Sequence, residues 1–245
     1  MISLTTLPEV EGPELLAATF NIQLETSALI FIGNHDDTYF NTIATSKHIK
    51  YTRSAHGPFF DLMPCTMDLE FKDLILRRFR KTIEWCKRLN IKNIVFHSGW
   101  FPKTYPHNTW LNNSVKFWNS VLETVNDDTS IFIENVYEDD PKTLKELIIE
   151  VNKSNFNVCI DLGHINANSN VKIVDWLEDF NNRIGHIHIH NNYGKNDDHN
   201  GVLKGTIQYP ETFKLLKDYC PNAFWNLEIK NDIKESIQMA LDNRQ

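Results

Sequence analysis

The sequence predicts a single closed parallel (β/α)8 barrel spanning residues 1–245. Three observations predict it. Short runs rich in β-branched and aromatic residues alternate eight times with longer segments of helical period. The length is that of one such barrel, whose usual size is about 250 residues. No Gly/Pro/Ser linker, short repeat or low-complexity tract divides the chain.

The extended runs are expected at 2–5 (ISLT), 20–24 (FNIQL), 51–55 (YTRSA), 93–96 (NIVF), 130–133 (SIFI), 157–160 (NVCI), 184–189 (IGHIHI) and 224–229 (FWNLEI). Helices are expected near 10–19, 36–46, 68–89, 108–125, 141–153, 171–181, 209–219 and 231–243. Segment 68–89 is the clearest. Phe71, Ile75, Phe79, Ile83 and Cys86 fall on one stripe, with Arg77, Arg80, Lys81 and Lys87 largely outside it. Asp140 followed by Pro141 predicts a capped start for the fifth helix.

Parallel strands in a barrel point the same way, and sites form on the loops beyond their C-terminal ends. Six expected strands end in an imidazole or a carboxylate. These are His56 in SAHGPFFDL, His97 in IVFHSGW, Glu134 in IFIENVY, Asp161 and His164 in VCIDLGH, His188 in IGHIHIHNN, and Glu228 in FWNLEIK. Asp197 and His199 follow as an Asp-x-His pair, two donors expected on one side of an extended loop. Any one of them has an ordinary explanation. A lone His beside an apolar run is usually a core or rim residue, Asp161 suits a helix N-cap, and Glu228 suits an ion pair. Such groups at six strand ends together point to a divalent-metal site, because neutral imidazole and carboxylate are the donors zinc and manganese prefer.

His186, His188 and His190 alternate and so share a face. His188 is the expected ligand, with the other two behind it. Trp100 and Phe101, just past His97, are candidate pocket walls. His35, His48 and His107 lack a partner motif and are expected at the surface. The basic run at 77–81 is expected to be the solvated face of an outer helix.

Composition narrows the function classes. Hydrophobic content is 41%, charged content 23% and net charge −7, an ordinary globular balance that sets a mildly repulsive field against polyanions. Cys65, Cys86, Cys159 and Cys220 show no zinc-finger or disulfide-scaffold spacing and are expected as reduced core thiols. No basic start leads into an apolar segment, and no run approaches the roughly 18 apolar residues of a membrane span. A cytoplasmic protein without membrane contact is expected. Neither a GxGxxG, a Walker loop nor a GxSxG is present, so nucleotide cofactors and serine chemistry have no support.

The ordered set His, His, Glu, Asp-x-x-His, His, Asp-x-His, Glu resembles the xylose isomerase-like TIM barrels, the superfamily of endonuclease IV and many sugar isomerases and epimerases. VCIDLGH and DDHNGVLKGTI are similar to that superfamily's Asp/His and Asp-x-His segments. The resemblance implies one to three divalent ions, zinc or manganese. His56 and His97 would hold a first. Glu134 would bridge to a second, shared with Asp161, His188 and Glu228. His164, Asp197 and His199 would hold a third. In the sugar branch the tetrad Glu134, Asp161, His188 and Glu228 holds one metal, Glu134 and Glu228 double as acid and base, and His56, His164 and Trp100 contact substrate.

Loop charge separates the branches. The loops after the expected strands contain no Arg and few Lys, whereas a DNA phosphodiesterase holds several backbone phosphates with such residues. Asn191 stands where the superfamily usually has a carboxylate, and the Ser-Lys loop of endonuclease IV is missing from HNNYGKNDDH. The expectation is therefore a metal-dependent isomerase or epimerase of a small sugar, polyol or keto-sugar, with nucleic acid disfavoured. The alternatives are an endonuclease IV-like multinuclear phosphoesterase and a non-catalytic metal- or sugar-binding protein.

Overall fold

Eight parallel strands close a barrel in chain order: β1 (Ile2–Thr6), β2 (Gln23–Thr26), β3 (Thr52–His56), β4 (Asn93–His97), β5 (Ser130–Glu134), β6 (Phe156–Asp161), β7 (Ile184–Ile189) and β8 (Phe224–Leu227), with β8 pairing back onto β1. The structure is a computed structural model that describes residues 1–244. The helices are α1 (Pro13–Phe20), α2 (Asp37–Thr45), α3 (Leu69–Arg88), α4 (His107–Leu122), α5 (Lys142–Val151), α6 (Leu162–Asn168), α7 (Ile173–Phe180), α8 (Tyr209–Tyr219) and α9 (Ile233–Arg244).

Alternation sorts each strand into two faces. Ile94 and Phe96, Ile131 and Ile133, Val158 and Ile160, Ile187 and Ile189, and Trp225 and Leu227 join one continuous apolar layer with the helices. Phe96 stacks on Phe79 of α3 with centroids 4.5 Å apart, and Trp118 of α4 closes on both. Burying each such side chain contributes about 1.5–3 kcal/mol. The intervening positions face the lumen, where Val95, Phe132 and Cys159 form a small apolar cluster of their own. The rest of that face is polar: Ser3, Glu25, Ser54, His56, Glu134, Asp161, His186, His188 and Asn226 are all buried.

Several expected details shift. The second strand starts at Gln23 rather than residue 20, because Phe20 completes α1 and Asn21 turns left-handed (φ 52°) to end it. Helix α5 begins at Lys142, one residue late, with the Asp140 carboxylate accepting from the Lys142 amide at 2.8 Å. Phe71 lies in the first turn of α3, beyond the reach of the core, and is exposed. His48 is buried rather than superficial, its Nε2 lying 3.0 Å from Glu14. The short helix α6 lay outside the expected pattern, since seven residues are too few to show a period. All four cysteines are free and buried. Among the described residues no helix is long and apolar enough to cross a membrane.

Candidate metal centre at the barrel mouth

Strands β3, β4, β5 and β6 end on His56, His97, Glu134 and Asp161, and Glu228 directly follows β8. The parallel register brings His97 beside Glu134 and Asp161 beside His188. Glu134, fully buried, is the hub. One of its oxygens, Oε1, lies 3.1 Å from His188 Nδ1 and 3.4 Å from His164 Nδ1. The other, Oε2, lies 3.1 Å from His56 Nε2 and 3.5 Å from His97 Nε2. His188 Nδ1 is also 3.2 Å from Glu228 Oε2 and 3.8 Å from Asp161 Oδ2.

Two of the expected groupings come together, each with its donor atoms within 4.8 Å of one another: His56, His97 and Glu134, and Glu134, Asp161, His188 and Glu228. The third differs from expectation. His190 joins Asp197 and His199, while His164 groups with Asp161 and His190. His190 Nε2 lies 3.1 Å from Asp161 Oδ1 and 3.4 Å from Asp197 Oδ1, and its ring stacks on His199 at 4.2 Å. The helix bearing His164 approaches so closely that a Cβ at Gly163 would fall 1.9 Å from the His190 ring. The loop holding the Asp-x-His pair is not simply extended, since His199 takes a left-handed φ of 52°. That turn sets its Nε2 3.0 Å from Asp197.

The imidazoles are oriented by the backbone. His56 Nδ1 donates to Gly57 O, His164 Nδ1 to Asn135 O and His199 Nδ1 to Glu228 O, each at 2.8 Å. A carbonyl can only accept, so in the neutral tautomer Nε2 of each ring is left with its lone pair. The Asn135 side chain donates to Asp161 O and accepts from Asp161 N, locking the ends of β5 and β6 together. Asp161 is indeed the N-cap of α6, accepting from the His164 amide at 2.7 Å through Oδ1. Its Oδ2 is buried without a hydrogen-bond partner.

Charge in the cluster is strongly biased. Burial alone would raise the Glu134 carboxyl, but His188 and His97 hold it well below the usual range. Glu228, likewise opposed by burial, is held at about 2 chiefly by His188. Burial opposes protonation of His188 and His164 too, yet Cys159 with Glu134, Glu25 and Glu228 around His188, and Asp161, Asp197 and Glu134 around His164, raise both well above the ordinary imidazole value. His199 rises to about 9 against burial through Asp197 and Glu228. His97 is the exception, lowered to about 3 because burial outweighs Glu134.

The residues suit a divalent ion. Beyond Asp161 Oδ2, both nitrogens of His190 are buried without an aligned hydrogen-bond partner, and in the lumen below the close contacts of His186 Nε2 and His188 Nε2 with Glu25 are not aligned as hydrogen bonds. Each such orphan costs about 1–3 kcal/mol, and a bound cation would satisfy those at the mouth. The imidazole and carboxylate set, without thiolate, is a donor set for a divalent ion.

A cavity of about 510 Å³ opens above the cluster, lined by His56, His97, Glu134, His164, Asp197, His199 and Glu228. Its walls are aromatic: Phe59, Phe60, Trp100, Phe101 and Tyr137. Phe59 stacks on His97 at 4.1 Å. Among the described residues Lys230 is the one lysine or arginine lining it.

Sequence reasoning missed Glu25 and Asn135 and assigned His190 only a supporting place. Glu25 carried a signal in its position, a lone acid in the run QLET where the neighbouring Leu24 packs outward.

Residues 35–243 match the family model described as xylose isomerase-like TIM barrel. The protein MJ1311 of Methanocaldococcus jannaschii is 27% identical over 193 residues, a match covering 75% of this chain and 66% of that protein. Among solved structures, a D-tagatose 3-epimerase-like protein superimposes with TM-score 0.76 at 22% identity, covering 100% of this chain and 99% of the other. The TTHB071 protein of Thermus thermophilus, from a crystal soaked with zinc chloride, gives 0.80 at 20% identity, covering 99% and 97%.

Proposed function

Because the chain belongs to the xylose isomerase-like TIM barrel family, we propose that it is a divalent-metal-dependent isomerase or epimerase of a small sugar, polyol or keto-sugar. One observation carries this: Glu134, Asp161, His188 and Glu228 converge on one point beneath a cavity that has aromatic walls and a single lysine. The similarity to a D-tagatose 3-epimerase-like fold supports it. Glu134, Asp161, His188 and Glu228 would hold the ion. When bound, a divalent cation supplies electrostatic stabilisation of negative charge developing on substrate oxygen.

The chain's own groups do the rest. Glu228 takes the proton from the carbon beside the substrate carbonyl, and Glu134 returns one from across the cavity; reversal of direction reverses the roles. Glu228, held at about 2, is ready to accept, while Glu134 must itself carry a proton to deliver one and accepts it in the reverse direction. His56 and His164 present Nε2 to substrate hydroxyls, their Nδ1 positions fixed by backbone carbonyls. Phe59, Trp100 and Tyr137 shield the reacting carbon from bulk water and offer faces to its C–H bonds. The proton exchange is tested by incubating metal-loaded protein with a ketose panel in D2O. Deuterium entering the carbon next to the carbonyl is expected. No exchange with any ketose contradicts the proposal.

A second reading, a multinuclear phosphoesterase, is favoured by the third donor group, His190, Asp197 and His199, because a single-metal epimerase does not need it. Cleavage of an abasic-site duplex with three tightly held ions would establish it. The lone Lys230 argues against a DNA footprint.

A further inference from the structure

Below the mouth lies a buried polar chain that the proposed chemistry does not use. Glu25 of β2 is fully buried in the lumen. Its Oε1 lies 3.1 Å from His188 Nε2 and its Oε2 lies 3.0 Å from His186 Nε2. Asn226 of β8 donates to Glu25 Oε1 at 2.9 Å and to Thr5 Oγ1 at 2.7 Å. The Asn226 carbonyl oxygen in turn accepts from Ser3 Oγ at 2.9 Å. Four strands, β1, β2, β7 and β8, thus combine to hold one carboxylate under one imidazole.

We propose that Glu25 is a positioning residue that keeps a proton on His188 Nε2 and so presents the Nδ1 lone pair to the point shared by Glu134, Asp161 and Glu228. This rests on the metal-centred reading above. Two facts favour it. At the mouth the His188 Nδ1 faces carboxylates, Glu134 at 3.1 Å and Glu228 at 3.2 Å; as acceptors these favour a proton on Nδ1, and Glu25 is the carboxylate that competes for it at Nε2. A buried carboxylate is also costly unless paired, and Glu25 is placed where its one mouth-facing neighbour is His188. His186, on the same strand but a layer deeper, lies 3.0 Å from the second carboxylate oxygen. Carboxylate support behind a ligating imidazole raises its basicity and fixes its ring, and its loss commonly weakens metal binding about 10–100-fold.

The test is calorimetric titration of chelator-stripped protein with manganese and with zinc, for wild type and Glu25→Gln. Gln keeps the shape and the link to Asn226 but lacks the charge. The expected result is metal affinity about 10–100-fold weaker in Glu25→Gln, in a protein that remains folded without metal by circular dichroism. Equal affinity in the two proteins overturns the role of Glu25 alone. Wild type that binds neither ion overturns the metal-centred reading and this role with it. Should Glu25→Gln fail to fold, nitrogen-15 NMR of the metal-loaded wild type decides. A proton on His188 Nε2 supports the role, and a proton on Nδ1 overturns it.

Discussion

The outward and lumenal faces of the same eight strands are built from opposite materials. Outward, Ile94, Phe96, Ile133, Ile160, Ile189 and Trp225 pack against helices in one apolar layer. Inward, only Val95, Phe132 and Cys159 are apolar as a cluster, and carboxylates and imidazoles fill much of the remaining lumen. The outer layer removes hydrocarbon from water and stabilises the chain. The lumen holds buried charges whose mutual attraction must offset their desolvation, and it leaves polar atoms unpartnered. The difference teaches that the outer layer supplies the stability that lets the lumen be chemically useful.

Substitutions on the two faces should therefore separate into different readouts. The largest effect belongs to the mouth: Glu228→Gln should lower kcat about 10²–10⁴-fold, followed by deuterium exchange into substrate, while the protein remains folded by circular dichroism. Trp118→Ala, in the outer layer against Phe79, Phe96 and Phe156, should cost about 3–5 kcal/mol in urea denaturation. Its metal affinity where folded should match wild type. A loss of affinity there would break the separation of the two faces.

Metal addition sharpens the comparison. At a free concentration one hundred times Kd, stabilisation of about 2.7 kcal/mol is expected. The same increment should appear in Trp118→Ala, because distant sites add. Removal with a chelator should reverse it in both.

The smallest effect is a pH trend of the metal-free protein. His199 has a folded value raised to about 9, and His164 and His188 are raised as well. A raised imidazole contributes stability that is complete below its unfolded value of about 6.5 and is lost as pH rises through the folded value. Melting temperature should thus fall by a few degrees between pH 6.5 and 9. Metal affinity should rise over the same interval, since the ligand nitrogens must first lose their protons. Thermal scans across that range, with and without manganese, read both slopes.

Much of this division was legible in the sequence, for a physical reason. Strand alternation with a hydrophobic outer face produces runs such as IVFH and IFIE, and the donor at the end of each run announces the mouth. The eight strands followed from that pattern, and the tetrad Glu134, Asp161, His188 and Glu228 from the resemblance its donors carry. Glu25 was missed because its strand is only four residues long, so the signal of one acid beside the outward-packing Leu24 was faint. His190 was underrated because its partners depend on the left-handed turn at His199 and the close approach at Gly163, neither of which leaves a periodic trace. His48 and Phe71 went the wrong way because burial at helix ends depends on neighbours distant in sequence, Glu14 being the partner of His48.

The most direct test of the central claim is anomalous diffraction from crystals grown with manganese or zinc. A peak about 2.0–2.2 Å from the carboxylates of Glu134, Asp161 and Glu228 and from His188 Nδ1 is the predicted result. Metal-saturated crystals with no peak at that point would contradict it.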